Sequence, residues 1–180
     1  MSIVRFVMFG AVLAFATVSS FASQGDARQH ASHAGSAFVQ KVRRATESFL
    51  DVRNASRSGY EPILGCVSGP QEGAMGVHFL NARLFMNGVL EANQPEALIY
   101  EFKDGVARLV GVEYIILAGV WHQSHAAQDP PVLEGQLLQF NDSPNRFGLP
   151  PFYEIHVWAW RDNPHGAFVD WNPQVSCEGQ

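Results

Sequence analysis

No block of lysine or arginine occurs in this 180-residue chain, and none of its apolar runs reaches the ~20 residues that a membrane-crossing helix needs. The first absence leaves a nucleic-acid phosphate backbone without a counter-charge, so no nucleic-acid partner is expected. The second argues against a stable membrane span once the amino terminus has been processed. Charge of either sign is sparse: charged residues are 16% of the chain and the net charge is −5, with no acidic tail. There are only two cysteines, and no Cys-x-x-Cys spacing to suggest a thiolate metal site. The chain also lacks a G-x-S-x-G elbow, a P-loop and a dinucleotide fingerprint followed by an acidic residue. It has no internal repeat and no low-complexity stretch.

What is present is apolar. Hydrophobic residues make up 47% of the chain, enough for one domain with a proper core and too little length for two. At the amino terminus, Met1–Arg5 carries one positive charge, Phe6–Val18 is apolar, and Ser20-Phe21-Ala22 fits a small-x-small processing site. Residues 1–22 therefore read as a signal peptide cleaved after Ala22. Residues 23–36 read as a flexible leader in which His30 and His33 are solvated. Residues 37–180 read as a single α+β domain, exported to the periplasm or the medium. In an oxidising compartment, Cys66 and Cys177 are expected to pair as a disulfide.

Phe38, Val42, Ala45, Phe49 and Val52 recur at steps of four and three, which predicts an amphipathic helix from Phe38 to about Ser58, stopped by Gly59. Strands are predicted at Gly76–Leu80, Ala97–Phe102, Ala107–Leu117, Gln136–Gln139 and Phe152–Trp160, with another at Ala167–Trp171. Lys103-Asp104-Gly105 marks a hairpin turn, and Trp121–Pro131 and Asn141–Pro151 read as long loops. The expected fold is an N-terminal helix packed on a curved, mainly antiparallel β-sheet or partial barrel.

Three of these strands carry one metal-capable side chain each among apolar neighbours: His78 in GVHFL, Glu113 in GVEYI and His156 in EIHVW. A polar or charged group in such a setting is costly unless it is paired. Alternate residues of a strand share a face. Glu154, His156, Trp158 and Trp160 therefore project one way, Glu113 shares its face with Leu109, Gly111 and Ile115, and His78 shares its face with Gly76 and Leu80. Two imidazoles and a carboxylate on one face form a set that a divalent transition metal, zinc or copper, binds with a position left open. Glu154 then serves as acid or base, or as the carboxylate that orients a ligand. The alternative is that His78 and His156 are core histidines bonded to neighbours, with Glu113 paired to Arg108 or Arg161. His122 and His125 fall in a loop and His165 in a turn. Tyr114, Tyr153, Trp158, Trp160 and Trp171 are read mainly as core and rim, with a ligand pocket as the other reading.

The segments Gly65-Cys66-Val67, Gly73–Phe79, Leu109–Tyr114 and Phe152–Trp158, together with Asn163–Phe168, Asn172-Pro173 and Cys177, resemble a family of uncharacterised exported bacterial proteins. The resemblance spans residues 59–177. It implies no activity, only that these segments belong together. The functional expectation is an exported metal-binding protein using His78, Glu113 and His156. It is a candidate metal-dependent enzyme, with Glu154 catalytic and water or dioxygen as reactant. The other expectation is a small-ligand module with an aromatic-lined pocket and no metal.

Overall fold

A computed structural model describes residues 37–69 and 71–178. The expected signal peptide and the whole of the expected leader lie outside the described residues. Residues 37–46 form a first helix (α1), followed by a 3-10 turn at Glu47–Leu50 and a second helix, α2, at Val52–Arg57. The single predicted helix is thus broken at Asp51, whose backbone is extended and whose carboxylate accepts the Arg53 N–H as an N-cap. The tightened 3-10 turn presents the Phe49 carbonyl to the Tyr100 hydroxyl at 2.6 Å. Phe38 and Val42 are fully buried, and the Phe38 ring packs 5.6 Å from that of Tyr114.

Nine strands follow among the described residues: β1 Tyr60–Pro62, β2 Val67–Gly69, β3 Gly73–Asn81, β4 Ala97–Lys103, β5 Val106–Leu117, β6 Val132–Leu133, β7 Gln136–Leu137, β8 Gln139–Asn141 and β9 Phe152–Val157. Short helices α3 (Ala82–Asn87) and α4 (Ala118–Trp121) interrupt them. The main sheet runs β1-β3-β4-β5-β9-β8, with β2 also on β3, and every pairing is antiparallel. β6 and β7 form a separate hairpin. The main sheet is open at both edges and does not close as a barrel. The Lys103-Asp104-Gly105 turn joins β4 to β5 as predicted, with Asp104 and Gly105 at positive φ.

Several sequence expectations are displaced. The predicted Gln136–Gln139 strand is two pieces, β7 and β8. Ala167–Trp171 is turns and bends rather than a strand. β9 stops at Val157, so alternation ends there: Trp158 stays with the His156 face, whereas Trp160 packs on the main core. A bulge in β5 inserts Val110 between Gly111, opposite Ile99, and Leu109, opposite Tyr100. Leu109 consequently joins the main core with Tyr100, and Val110 joins Ile99 and Trp158 on the opposite side.

The main core holds Val77, Phe79, Leu98, Tyr100, Val112, Tyr114, Ile155 and Val157 from one sheet face, together with Phe38 and Val42. The other face carries His78, Glu113, Glu154 and His156. At one end of that face the C-terminal segment forms a smaller cluster of Ala74, Ile99, Val110, Trp158 and Val175, against which Cys177 packs. Cys177 is disulfide-bonded to Cys66, closing a 111-residue separation. No helix among the described residues is long and apolar enough to cross a membrane.

Candidate metal centre

The register of the sheet brings the polar side chains together. Leu80 lies opposite Ala97, Ala97 opposite Glu113, and Glu113 opposite His156. His78 sits one pleat away, opposite Ile99, which faces Gly111. β3 and β9 are three strand spacings apart, roughly 14 Å in a flat sheet. Yet His78 Nε2 and His156 Nε2 are 3.3 Å apart, so the sheet curves inward over this row. Two glycines permit it. A Cβ on Gly111 would stand 2.9 Å from the Val157 carbonyl oxygen and 3.3 Å from the Trp158 ring. Gly76 adopts φ +103, and a Cβ there would stand 2.8 Å from the Tyr100 carbonyl oxygen. The small Ala97 and Gly111 keep the floor between the ligand candidates low.

All three side chains are buried, with His78 3%, Glu113 6% and His156 1% exposed. One ligand-capable atom from each lies within 4.8 Å of the others. His78 Nε2 is also 3.6 Å from Glu113 Oε2. This buried His-Glu-His cluster is compatible with metal binding in spacing and chemistry. Burial, together with the neighbouring His156, pushes the His78 imidazole down to about 3, so the ring is neutral and its lone pair free at neutral pH. Burial raises Glu113 well above the ordinary glutamate range, and the Glu154 carboxyl hydrogen-bonded to it raises it further. Among the described residues, neither His78 Nδ1 nor His156 Nδ1 has a hydrogen-bond partner.

Around these three lies a ring of polar groups that sequence reasoning largely missed. Asp170 Oδ1 stands 3.6 Å from His156 Nδ1, just outside hydrogen-bond distance, and the imidazole holds Asp170 below its usual value. Trp158 places it there: its backbone N–H donates to the Ala167 carbonyl at 2.9 Å and its indole N–H to the Val169 carbonyl at 2.6 Å. Gln139 donates to Asp170 at 3.1 Å, and Asn141 donates to Glu154 at 2.7 Å. Gln139 and Asn141 are alternate residues of β8, and that period-two pattern was the available signal. Asp170 sits in an irregular segment and had none. Glu154 touches Glu113 from beside it and does not line the adjoining cavity.

Other sequence candidates go elsewhere. Arg161 pairs with Glu101 at 2.7 Å, so it does not neutralise Glu113. His122 meets the Tyr153 hydroxyl at 3.0 Å, and His125 stacks on Trp121. His165 lies in a turn, where its N–H donates to the Asn163 side chain.

The face of the cluster toward β3 opens into a cavity of about 260 Å³. His78 and Glu113 are its only polar lining residues, and the rest are aliphatic or phenylalanine. One wall is the loop before β9, folded around the Asn145 side chain. Asn145 Oδ1 accepts from the Phe147 and Leu149 N–H groups, and its Nδ2 donates to the Leu149 carbonyl at 2.8 Å. Asn81 caps α3 by accepting the Leu84 N–H, which sets Phe85 on another side of the cavity.

Comparisons with protein-family models, curated proteins and solved structures find no match to the chain.

Proposed function

We propose that this chain is an exported metal-binding protein whose centre is His78, Glu113 and His156, with zinc or copper as the resident ion. One observation carries the reading: the 3.3 Å between the two imidazole nitrogens. Two nitrogens each about 2.0–2.1 Å from a tetrahedral zinc ion lie about 3.3–3.4 Å apart. A direct Nε2–H···Nε2 hydrogen bond fits the same distance, but it accounts for the rings alone. A cation accounts for both rings and the buried carboxylate together.

Within this reading the surrounding groups have definite tasks. Asp170, 3.6 Å from His156 Nδ1, sits on the far side of the ring from Nε2, which is left to face the ion. Glu154, held by Asn141 at 2.7 Å and hydrogen-bonded to Glu113, orients the Glu113 carboxyl toward the ion. A bound divalent ion supplies Lewis acidity at its open position. Export is supported by the amino-terminal apolar segment and by the disulfide, which persists in oxidising compartments.

The test is a zinc and copper titration of protein made without a histidine tag. One equivalent should survive dialysis, and His78→Ala and His156→Ala should each lower affinity at least 100-fold. Retention of metal by both variants would place the ion elsewhere and remove the assignment.

A further inference from the structure

The cavity beside the cluster is more selective than a generic pocket. Its volume of about 260 Å³ exceeds the roughly 150 Å³ of a buried apolar cavity that accepts benzene, and falls below the roughly 300 Å³ at which drug-sized pockets begin. Phe85, Phe147 and Phe152 line it, and no lysine or arginine does. In the metal-free protein an anionic guest would therefore enter without a compensating cation. At its mouth Ile63 and Leu64 are 49% and 39% exposed, an apolar approach that water disfavours. His78 and Glu113 face the interior at one end, whereas His156 is absent from the lining. Were an ion held by the three side chains, a guest in the cavity would meet it from the side of His78 and Glu113.

We propose that the cavity binds a neutral, single-ring aromatic molecule bearing one oxygen, phenol being the simplest, with its ring among the three phenylalanines and its oxygen toward His78 and Glu113. The placement of the oxygen rests on the metal reading above. The placement of the ring does not.

Calorimetric titration of zinc-loaded and metal-free protein with toluene, phenol and benzoate separates the two. Toluene should bind both forms equally. Phenol should bind the zinc form at least tenfold more tightly than the metal-free form, and benzoate should bind the metal-free form at least tenfold more weakly than phenol. Leu149→Trp, at a half-buried loop position, should abolish binding of all three while the zinc content stays at the parent value. Ile63→Trp, at the exposed mouth, should weaken all three and serves if the first variant fails to fold. If neither toluene nor phenol binds either form at millimolar concentration, the cavity proposal is overturned and the metal reading is untouched. If zinc binds but adds nothing to phenol affinity, the oxygen's placement is overturned. If zinc does not bind at all while toluene does, the metal reading falls and with it the oxygen's placement, but the ring site stands.

Discussion

Glu96 shows how far burial alone can move a side chain in this fold. It is almost fully buried, accepts the Ile115 N–H at 3.2 Å, and is raised to about 8 chiefly by loss of water. In the unfolded chain it titrates near its ordinary value of 4.5. Between those two values the folded state holds a proton that the unfolded chain has released. Stability therefore falls as pH rises through that window, by up to about 1.4 kcal/mol per pH unit. Glu96→Gln keeps an acceptor for Ile115 and removes the titration. Urea unfolding should find this variant more stable than the parent at pH 8, with the difference shrinking toward pH 5; parallel profiles would show that Glu96 is not protonated in the folded state. Glu113 moves in the same direction, but in the metal reading an ion displaces its proton. Metal affinity should therefore rise with pH until Glu113 is ionised, and proton release should be measurable by calorimetry in buffers of different ionisation enthalpy. Asp170→Asn should lower metal affinity roughly 10–100-fold while leaving the thermal unfolding of metal-free protein nearly unchanged. A loss confined to stability would assign Asp170 a structural part only.

At the scale of elements, much was legible. An imidazole or carboxylate among valines, isoleucines and aromatics stands out in any one-dimensional reading, and period-two alternation puts His78, Glu113 and His156 on matching faces. The Lys103-Asp104-Gly105 turn fixes the β4–β5 hairpin by its demand for positive φ. What alternation cannot foresee is a break in itself. The Val110 bulge sent Leu109 to the main core, and the end of β9 at Val157 sent Trp160 away from His156. Asp170 comes into place through hydrogen bonds that Trp158 and Gln139 make across sequence, so no local pattern announces it. Curvature, equally, is encoded in contacts between strands that only the register reveals. Gly111→Ala tests this directly. The added methyl must displace the Val157 backbone or the Trp158 ring, costing about 1–3 kcal/mol by analogy with overpacked cores. Metal affinity should fall in step, since β9 carries His156; full affinity in a destabilised variant would separate curvature from the site.

For the whole molecule, the disulfide ties the C-terminal segment, which covers one end of the cluster's face, to the strand region before β2. The expected pairing of Cys66 with Cys177 is present. Closing 111 residues removes loop entropy from the unfolded chain worth roughly 4–5 kcal/mol. Unfolding of Cys66→Ser/Cys177→Ser protein should show a loss of that order. A difference below about 1 kcal/mol would mean that the C-terminal segment is held by its packing and hydrogen bonds alone. The central claim, that the sheet is curved so as to bring three side chains onto one ion, is tested most directly by elemental analysis of tag-free protein refilled with zinc and copper and then dialysed. The account predicts about one transition-metal ion per chain, lost in His78→Ala and His156→Ala protein. A metal content near zero in the parent would contradict it.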